Sequence, residues 1–371
     1  MLRNFFCGLR MGSVTAGERH LLIIGENGEV WGWGDTGKGQ LAANAAQAPM
    51  MPYRAQIAFS IKSVAAGPFH SIFLDEENNI WVCGTGYEYS MLKRVQATVH
   101  KIHVPALINS ISTGAGHSIF LDNEGNVWTH GINKLGQLGV GEIAEKLYPT
   151  KISLPPIESV CAGSNHSLFL DFMGNVWACG SGIFGQLGLG DSDNRITPEK
   201  IKDIPRIKQL AGGAAHSLFL DYDGNAWACG ENIFGQLGLG DYVSRLKPAM
   251  CLLQNIKMVS SNGYHSLFLD YDGKARGCGN NTHGQLGLID SFDRNLPTAL
   301  PSPVFFQCIF TGPRMSMFLD SENLLWVCGR NTHGELGGGQ LSISTIKILS
   351  KEHLVSVTDN SLCTKSARNT M

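Results

Sequence analysis

Histidine is the residue whose spacing in this chain most suggests chemistry. It recurs at intervals of 47 to 50 residues, and Met315 stands in the seventh place. A ring of imidazoles would suit a metal ion or a catalytic set, but catalysis needs a nucleophile, a base and an orienting group in different positions, and copies of one repeat position are equivalent. We therefore expect structural histidines with hydrogen-bond partners. The six positions are His20, His70, His117, His166, His216 and His265.

Cysteine follows the same period. Five of the ten cysteines stand just before a glycine at one repeat position, and His130 takes that place in the third copy. Equivalent positions of a ring cannot form disulfides unless they crowd its axis, and no Cys-x-x-Cys spacing suggests zinc. We predict buried, reduced thiols, with no metal and no cofactor. The five are Cys83, Cys179, Cys229, Cys278 and Cys328.

A repeat of about 50 residues positions these side chains. The fourth copy runs from Gly163 through His-Ser-Leu-Phe-Leu-Asp171, Gly174 and Val-Trp-Ala-Cys-Gly180 to Gly-Gln-Leu-Gly-Leu-Gly-Asp191. Each copy predicts four short strands, because apolar β-formers alternate with turn residues such as Asp-x-x-Gly. Gly-Gln-Leu-Gly has too many glycines for a strand or helix, so we expect a loop. Since it recurs per repeat and no strand-then-helix context surrounds it, it is not a dinucleotide fingerprint.

Seven equal units predict an all-β protein, a seven-bladed β-propeller of four-stranded blades in a closed ring. An open β-solenoid is the less favoured alternative. The expected domains are a short extension at 1–10, the propeller at 11–350, and a closing strand with a polar tail at 351–371. Residues 11–17 and 354–357 both resemble the first strand of a unit, and we expect one of them to seal the ring.

The combination of Gly-x-x-His-Ser, Asp-x-x-Gly, Val-Trp-x-Cys-Gly and Gly-Gln-Leu-Gly-x-Gly-Asp resembles the regulator of chromosome condensation repeat family. The resemblance spans about residues 11–345 and implies a seven-bladed propeller. It implies no single function, because the family includes exchange factors for the GTPase Ran, ubiquitin-ligase subunits, ciliary scaffolds and a plant UV-B receptor. Function must therefore be argued from sites on the fold.

Tryptophan recurs at one offset in six of the seven copies. The sensing tryptophans of the plant receptor lie in a Gly-Trp-Arg-His-type motif, which this sequence lacks. We therefore expect large core side chains between blades. The positions are Trp31, Trp81, Trp128, Trp177, Trp227 and Trp326.

Composition narrows the class of partner. The formal net charge of −2 gives no strong attraction to nucleic acid or to an anionic membrane. We find no Walker-type phosphate loop, no apolar run long enough to span a bilayer and no convincing signal peptide. The expectation is a monomeric, cytoplasmic or nuclear protein with a protein partner and no covalent active site.

One charged pattern follows the glycine-rich loops. Four consecutive units carry an acid and, four residues later, a base, which predicts either local loop-ordering salt bridges or a charged arc on one rim that binds a protein partner. We call these eight residues the charged arc: Glu142, Lys146, Asp191, Arg195, Asp241, Arg245, Asp290 and Arg294.

Unit two breaks the repeat. It lacks Gly-Gln-Leu-Gly and has aromatic and basic residues instead, which favour interfaces. The alternative is drift, since a repeat can lose its loop without gaining a function. The candidate binding residues are Tyr87, Tyr89, Lys93 and Arg94.

Two functions of different class remain. The first is a non-catalytic platform that presents rim loops to protein partners. The alternative is a guanine-nucleotide exchange factor for a Ran-like or other small GTPase. The resemblance implies a β-wedge inserted into Ran and a basic chromatin-binding tail for the nuclear exchange factors. The near-constant repeat length and the ten residues before Met11 show neither.

Overall fold

A computed structural model describes residues 14–42, 52–85, 96–337 and 342–348. They form 28 strands in seven four-stranded sheets, and the described residues contain no helix. Each sheet uses four consecutive, antiparallel strands, so each sequence repeat is one blade. The predicted all-β seven-bladed propeller is confirmed.

The blades follow the chain in order. Blade 1 contains β1 Val14–Ala16, β2 His20–Ile24, β3 Val30–Gly34 and β4 Tyr53–Arg54; blade 2 contains β5 Ile61–Ala66, β6 His70–Asp75, β7 Ile80–Gly84 and β8 Gln96–Ile102. Blade 3 contains β9 Ile108–Thr113, β10 His117–Asp122, β11 Val127–Gly131 and β12 Lys146–Lys151; blade 4 contains β13 Ile157–Ala162, β14 His166–Asp171, β15 Val176–Gly180 and β16 Arg195–Lys200.

The second half repeats the arrangement. Blade 5 contains β17 Ile207–Gly212, β18 His216–Asp221, β19 Ala226–Gly230 and β20 Arg245–Met250; blade 6 contains β21 Ile256–Asn262, β22 His265–Asp270, β23 Ala275–Gly279 and β24 Arg294–Ala299. Blade 7 contains β25 Phe306–Gly312, β26 Met315–Asp320, β27 Leu325–Arg330 and β28 Ser342–Ile348.

The ring closes through its innermost strands. The first strands of neighbouring blades contact one another all the way round, including β25 and β1. Strand β1 pairs with β2 inside blade 1. The first candidate segment therefore supplies the first strand of blade 1, beginning at Val14. Residues 11–13, the second candidate at 354–357 and the polar tail lie outside the described residues.

The antiparallel order gives the disc two different faces. One carries the turns between first and second strands and the loops between third and fourth strands; we call it the loop face. The other carries the turns between second and third strands and the connections to the next blade; we call it the hairpin face. The charged arc therefore lies on the loop face.

The core lies between blades. Each of seven apolar clusters combines side chains of two neighbouring blades, and the last combines blades 7 and 1. Phenylalanine of the His-Ser-Leu-Phe-Leu strand, such as Phe169 and Phe219, is fully buried at each interface from blade 2 on. The repeating tryptophans pack against these clusters between blades, as predicted, but they are only half-buried. The large side chain that is fully buried there is phenylalanine.

No helix of the described residues is long and apolar enough to cross a membrane.

Candidate functional site

The repeating histidines connect neighbouring blades. His166 Nε2 lies 2.9 Å from Ser217 Oγ of the next blade, and Ser217 donates to the main-chain oxygen of Gln186 at 2.7 Å. Because the serine hydrogen is used there, the imidazole donates Nε2–H to the hydroxyl oxygen. The same relay begins at His216 and His265 and continues through Ser266 and Ser316.

The Gly-x-x-His spacing has a steric cause. The imidazole folds back over the glycine three residues earlier, so a Cβ atom at Gly163 would lie 2.0 Å from Cε1 of His166. The glycines before His20, His70, His117 and His216 are equally crowded. Glycine is therefore needed for close approach, and the histidine is held in one position.

Burial makes these histidines poor bases. It lowers the pKa of His166 to about 3, with a further contribution from His117, and lowers the pKa of His265 to about 4. The imidazoles of His20, His166, His216 and His265, whose pKa values are lowered in this way, are therefore neutral at physiological pH, and all six repeating histidines are enclosed. The predicted structural role is confirmed by these contacts.

The cysteines meet the same carbonyl groups. Cys229 Sγ lies 3.6 Å from the oxygen of Gln186, the atom that also accepts from Ser217. The five cysteines of this repeat position are buried and unpaired, as predicted. Burial raises the pKa of the Cys83 thiol to about 12, so it has little thiolate at neutral pH.

The hairpin turns are fixed by their first residue. In blade 4 the Asp171 carboxylate accepts hydrogen bonds from the main-chain N–H groups of Met173 and Asn175 and from the indole N–H of Trp177, at 2.9, 2.9 and 3.3 Å. Burial opposes ionisation, but the summed hydrogen bonds lower the pKa of Asp171. Trp177 therefore stabilises the hairpin turn of blade 4 and also covers the core.

The charged arc consists of pairs within single loops. The acid and base of each unit lie 2.5, 2.7, 2.6 and 2.6 Å apart in blades 3 to 6. In blade 5 Asp241 also accepts the N–H of Val243 at 2.9 Å, and Arg245 donates to the Val243 oxygen at 2.5 Å. Each pair therefore closes one loop like a clamp. This geometry corresponds to the loop-ordering alternative, and partner binding by the arc stays a prediction.

The clamps hold apolar side chains out in solvent. Phe292 stands between Asp290 and Arg294 and is 73% exposed, and Val243 in the equivalent place of blade 5 is 63% exposed. Sequence reasoning considered the charges and missed the residues between them. The signal was an apolar residue inside the acid-to-base interval in three of the four units. We call the exposed apolar residues of these loops the loop-face patch: Ile143, Ile183, Phe184, Ile233, Tyr242, Val243 and Phe292.

Hydrogen bonds between blades join the loops of the patch. Gly190 and Gly240 donate from their main-chain N–H groups to the oxygens of Leu246 and Asn295, at 3.0 and 2.9 Å, on the outer strand of the following blade. Phe234 packs edge-on against Tyr264 with ring centroids 5.4 Å apart. The loops of blades 4 and 5 are therefore each supported by the outer strand of the next blade.

The other sequence-predicted site cannot be placed, because Tyr87, Tyr89, Lys93 and Arg94 lie outside the described residues. Its neighbourhood carries one related change. His130, which replaces the repeating cysteine of blade 3, directs Nε2 to the oxygen of Leu147 at 3.1 Å. The preceding unit lacks the Gly-Gln-Leu-Gly glutamine whose carbonyl group the cysteine contacts elsewhere.

All seven blades meet at the mouth of the central channel on the loop face. A cavity of about 200 Å³ is lined mainly by glycine, alanine and main-chain atoms, with Glu18 and Arg314 at one side. Among the described residues, no group of three or more His, Cys, Asp or Glu side chains is arranged to hold a metal ion.

These features define a protein of the RCC1-type propeller class. Models of the "Regulator of chromosome condensation (RCC1) repeat" match residues 124–170, 173–220 and 223–269, and also 13–40, 61–89, 157–186, 207–236 and 256–285. The chain belongs to this repeat family.

Individual relatives are distant. The Arabidopsis thaliana ultraviolet-B receptor UVR8 is 28% identical over 159 residues, which cover 39% of this chain and about a third, 34%, of the receptor. Human WBSCR16 superposes with a TM-score of 0.75 at 19% identity, covering 83% of this chain and 86% of that chain. Saccharomyces cerevisiae Prp20p, described with its binding to Gsp1p and histones, gives 0.74 at 22% identity, covering 94% and 85%. At these identities the two structures show the shared fold alone.

Proposed function

We propose that the protein is a non-catalytic interaction platform that binds a protein partner through the loop-face patch. The observation that carries the proposal is the set of apolar side chains held exposed on clamped loops of consecutive blades. Large contiguous apolar patches on a soluble protein mark interaction sites, whereas single exposed apolar residues do not.

Rigidity supports this proposal. Ordering a loop on binding costs conformational entropy, and a loop already closed by an ion pair and main-chain hydrogen bonds avoids much of that cost. Phe184, Tyr242 and Phe292 supply the aromatic anchors that dominate interfaces, and Tyr242 and Phe292 lie in the loops that Arg245 and Arg294 close. The face of a propeller also offers the roughly 800 Å² per partner that a standard interface needs.

The charged arc has a secondary part in this proposal. Each base is largely neutralised by its own acid, so the arc contributes more to holding the tips than to net charge. Reversing charges of the arc should still slow association, and the effect should shrink with added salt. Truncating Phe184 or Phe292 should instead speed dissociation.

Site-specific photo-crosslinking in cells tests the surface. A benzophenone amino acid placed at Phe184 or Phe292 should give a discrete crosslinked product. The same probe at Tyr148, which is 68% exposed on the outer strand β12, is the matched control and should give none. Purified Phe184→Ser/Phe292→Ser protein should lose the captured partner, while Tyr148→Ser keeps it. Equal products at all positions, or retention by the double variant, would contradict the proposal.

A direct assay distinguishes an exchange factor from a non-catalytic platform. Release of labelled GDP from a panel of small GTPases should be unchanged by the protein if it is only a platform. Accelerated release would move the assignment to an exchange factor, and the loop-face variants would then show whether the same patch contacts the GTPase.

A further inference from the structure

The hairpin face differs between its two halves. The second strand of each of blades 4, 5 and 6 ends in an aspartate, and the next residue begins the hairpin turn. These residues are Phe172, Tyr222 and Tyr271, whose side chains are 60%, 55% and 60% exposed. Met173 beside the first is 68% exposed. The equivalent turns of blades 1, 2, 3 and 7 carry polar or acidic residues, with glutamates at Glu26, Glu76, Glu77, Glu124 and Glu322.

Cations join the three aromatic turns into one strip. Arg206 Nε donates to the Met173 oxygen of blade 4 at 2.9 Å, and its guanidinium lies 5.3 Å from the ring centre of Tyr222 in blade 5. Lys208 continues the strip toward blade 6, since its Nζ lies 5.8 Å from the ring centre of Tyr271. We call Phe172, Met173, Arg206, Lys208, Tyr222 and Tyr271 the hairpin-face ribbon.

Arg206 and Lys208 retain N–H donors that are available to a partner. No ion pair between described residues involves Arg206 or Lys208. One of the five N–H donors of Arg206 is used on a main-chain oxygen, and Lys208 touches a phenol oxygen at 3.5 Å. Carboxylates are the natural acceptors for such donors, and a planar guanidinium binds them with two parallel hydrogen bonds.

We propose that the hairpin-face ribbon docks an acidic segment of a partner protein that also carries apolar side chains. Its carboxylates pair with Arg206 and Lys208, and its apolar side chains pack on Phe172, Tyr222 and Tyr271. The glutamates on the other half of the same face repel such a segment and confine it to blades 4 to 6. This surface is separate from the loop-face patch, so the inference does not rest on the proposed function.

The ribbon fits a peptide better than a nucleic acid. Asp223 and Asp272 follow the two tyrosines directly in the turns, so carboxylates alternate with Arg206 and Lys208. This alternation opposes an unbroken run of phosphates, whereas a peptide can place its spaced carboxylates at the two cations and its apolar side chains between them. Stacking platforms for single strands combine aromatic residues with a strongly positive groove, whereas here acids and bases alternate. A short segment of mixed acidic and apolar residues matches both features.

Fluorescence anisotropy with defined probes tests the proposal. The probe is a fluorescein-labelled peptide in which glutamates alternate with leucine and phenylalanine. It should bind the intact protein, and the double variant Arg206→Glu/Lys208→Glu should weaken binding by on the order of tenfold or more. The opposite-face variant Lys38→Glu/Lys134→Glu changes the formal charge equally at exposed positions and should bind within about twofold of the original.

Further peptides and variants distinguish an acidic, apolar peptide from an uncharged peptide and from a nucleic acid. A peptide with glutamines for the glutamates, and one with serines for the apolar residues, should each bind at least about tenfold more weakly. Phe172→Ser/Tyr222→Ser should also weaken the probe, and Arg206→Gln/Lys208→Gln provides a milder variant if charge reversal impairs folding. Unchanged affinity in folded ribbon variants, equal binding of the uncharged peptide, or tighter binding of labelled oligouridine would overturn the proposal.

Discussion

A single carbonyl group accounts for three repeated residue types. The oxygen of Gln186 accepts the hydroxyl of Ser217 and contacts the thiol of Cys229, while Ser217 accepts from His166. His-Ser, Cys-Gly and Gly-Gln-Leu-Gly therefore repeat together because each supplies one part of the same blade-to-blade junction. The sequence showed that the parts recur, but which of them meet depends on register between blades, and that is visible only in three dimensions.

The buried histidines predict a steep pH dependence of stability. Burial lowers the pKa values of His20, His166 and His216 from 6.5 to about 3, and that of His265 to about 4. Below pH 6.5 the unfolded chain binds protons that the folded chain does not, so stability is complete above that pH and falls on acidification. Each histidine contributes up to about 1.4 kcal/mol per pH unit.

Urea unfolding at pH 7.5 and 5.5 measures this effect. The aspartates with lowered pKa values stay ionised at both pH values, so they do not contribute to the difference. The His166→Gln variant keeps a side-chain N–H for Ser217 but removes one titrating group. It should be less stable at pH 7.5 and lose less stability on acidification than the original protein. Equal free energies of unfolding of the original protein at both pH values would contradict the assignment of neutral, buried imidazoles.

Within a blade, the strands and the loops have separate tasks. Phe169 and Trp177 face each other on paired strands, and the phenylalanine is fully buried whereas the tryptophan is half-buried. The clamp of the same blade, Asp191 and Arg195, lies at the rim, and the arginine hydrogen bond lowers the pKa of Asp191. The blade core thus determines stability, and the clamp determines the position of a loop tip.

Substitutions in one blade test this division. Phe169→Ala should cost about 3–5 kcal/mol because it opens a cavity between blades, and Trp177→Ala should cost at the lower end of that range because part of its ring is already in water. Arg195→Ala should change stability by no more than about 1 kcal/mol, since the ion pair is near the surface. Denaturant melts of the three variants give the comparison, with Trp227→Ala and Arg245→Ala as the same pair in blade 5. Similar losses for the arginine and phenylalanine variants would mean that core and rim are misassigned.

At the scale of the whole ring, the sequence predicts the blade count and order, because period, turn residues and strand patterns all agree. It does not predict which exposed residues share a face. Phe292 and Phe184 are unremarkable in the sequence, and the side chains of the hairpin-face ribbon are more than 90 residues apart at the extremes. Only the closed ring brings such positions together, which is why the charged arc was evident from its spacing and the two apolar surfaces were not.

The junction between blades 7 and 1 departs from all the others. Met315 and Leu21 stand where histidine and serine meet elsewhere, and both are fully buried in an apolar cluster. Beside them Arg330 binds Glu335 of its own blade at 3.2 Å and Glu18 of blade 1 at 3.0 Å. Glutamate at position 335 replaces the glutamine of Gly-Gln-Leu-Gly. The first and last described blades are therefore joined by an apolar contact and by the Arg330–Glu18 ion pair, and buried Glu335 of blade 7 holds the same guanidinium.

Removal of Arg330 tests how much its two ion pairs, to Glu335 of its own blade and to Glu18 across the seam, stabilise the ring. Glu335 is completely buried and Arg330 is 7% exposed, so Arg330→Met leaves a carboxylate in the interior without its guanidinium partner. Loss of one member of a buried pair costs about 3–5 kcal/mol. The double variant Arg330→Met/Glu335→Gln removes the orphaned charge and restores the residue type of the other blades, so it should recover most of that loss. Arg294→Met, at a rim clamp, is the matched control and should cost no more than about 1 kcal/mol.

Guanidinium unfolding of the three variants measures the differences. A loss in Arg330→Met no larger than in Arg294→Met would show that the seam depends on its apolar contacts alone. No recovery in the double variant would contradict the assignment of the loss to the orphaned Glu335 and would assign it to the contact with Glu18 across the seam.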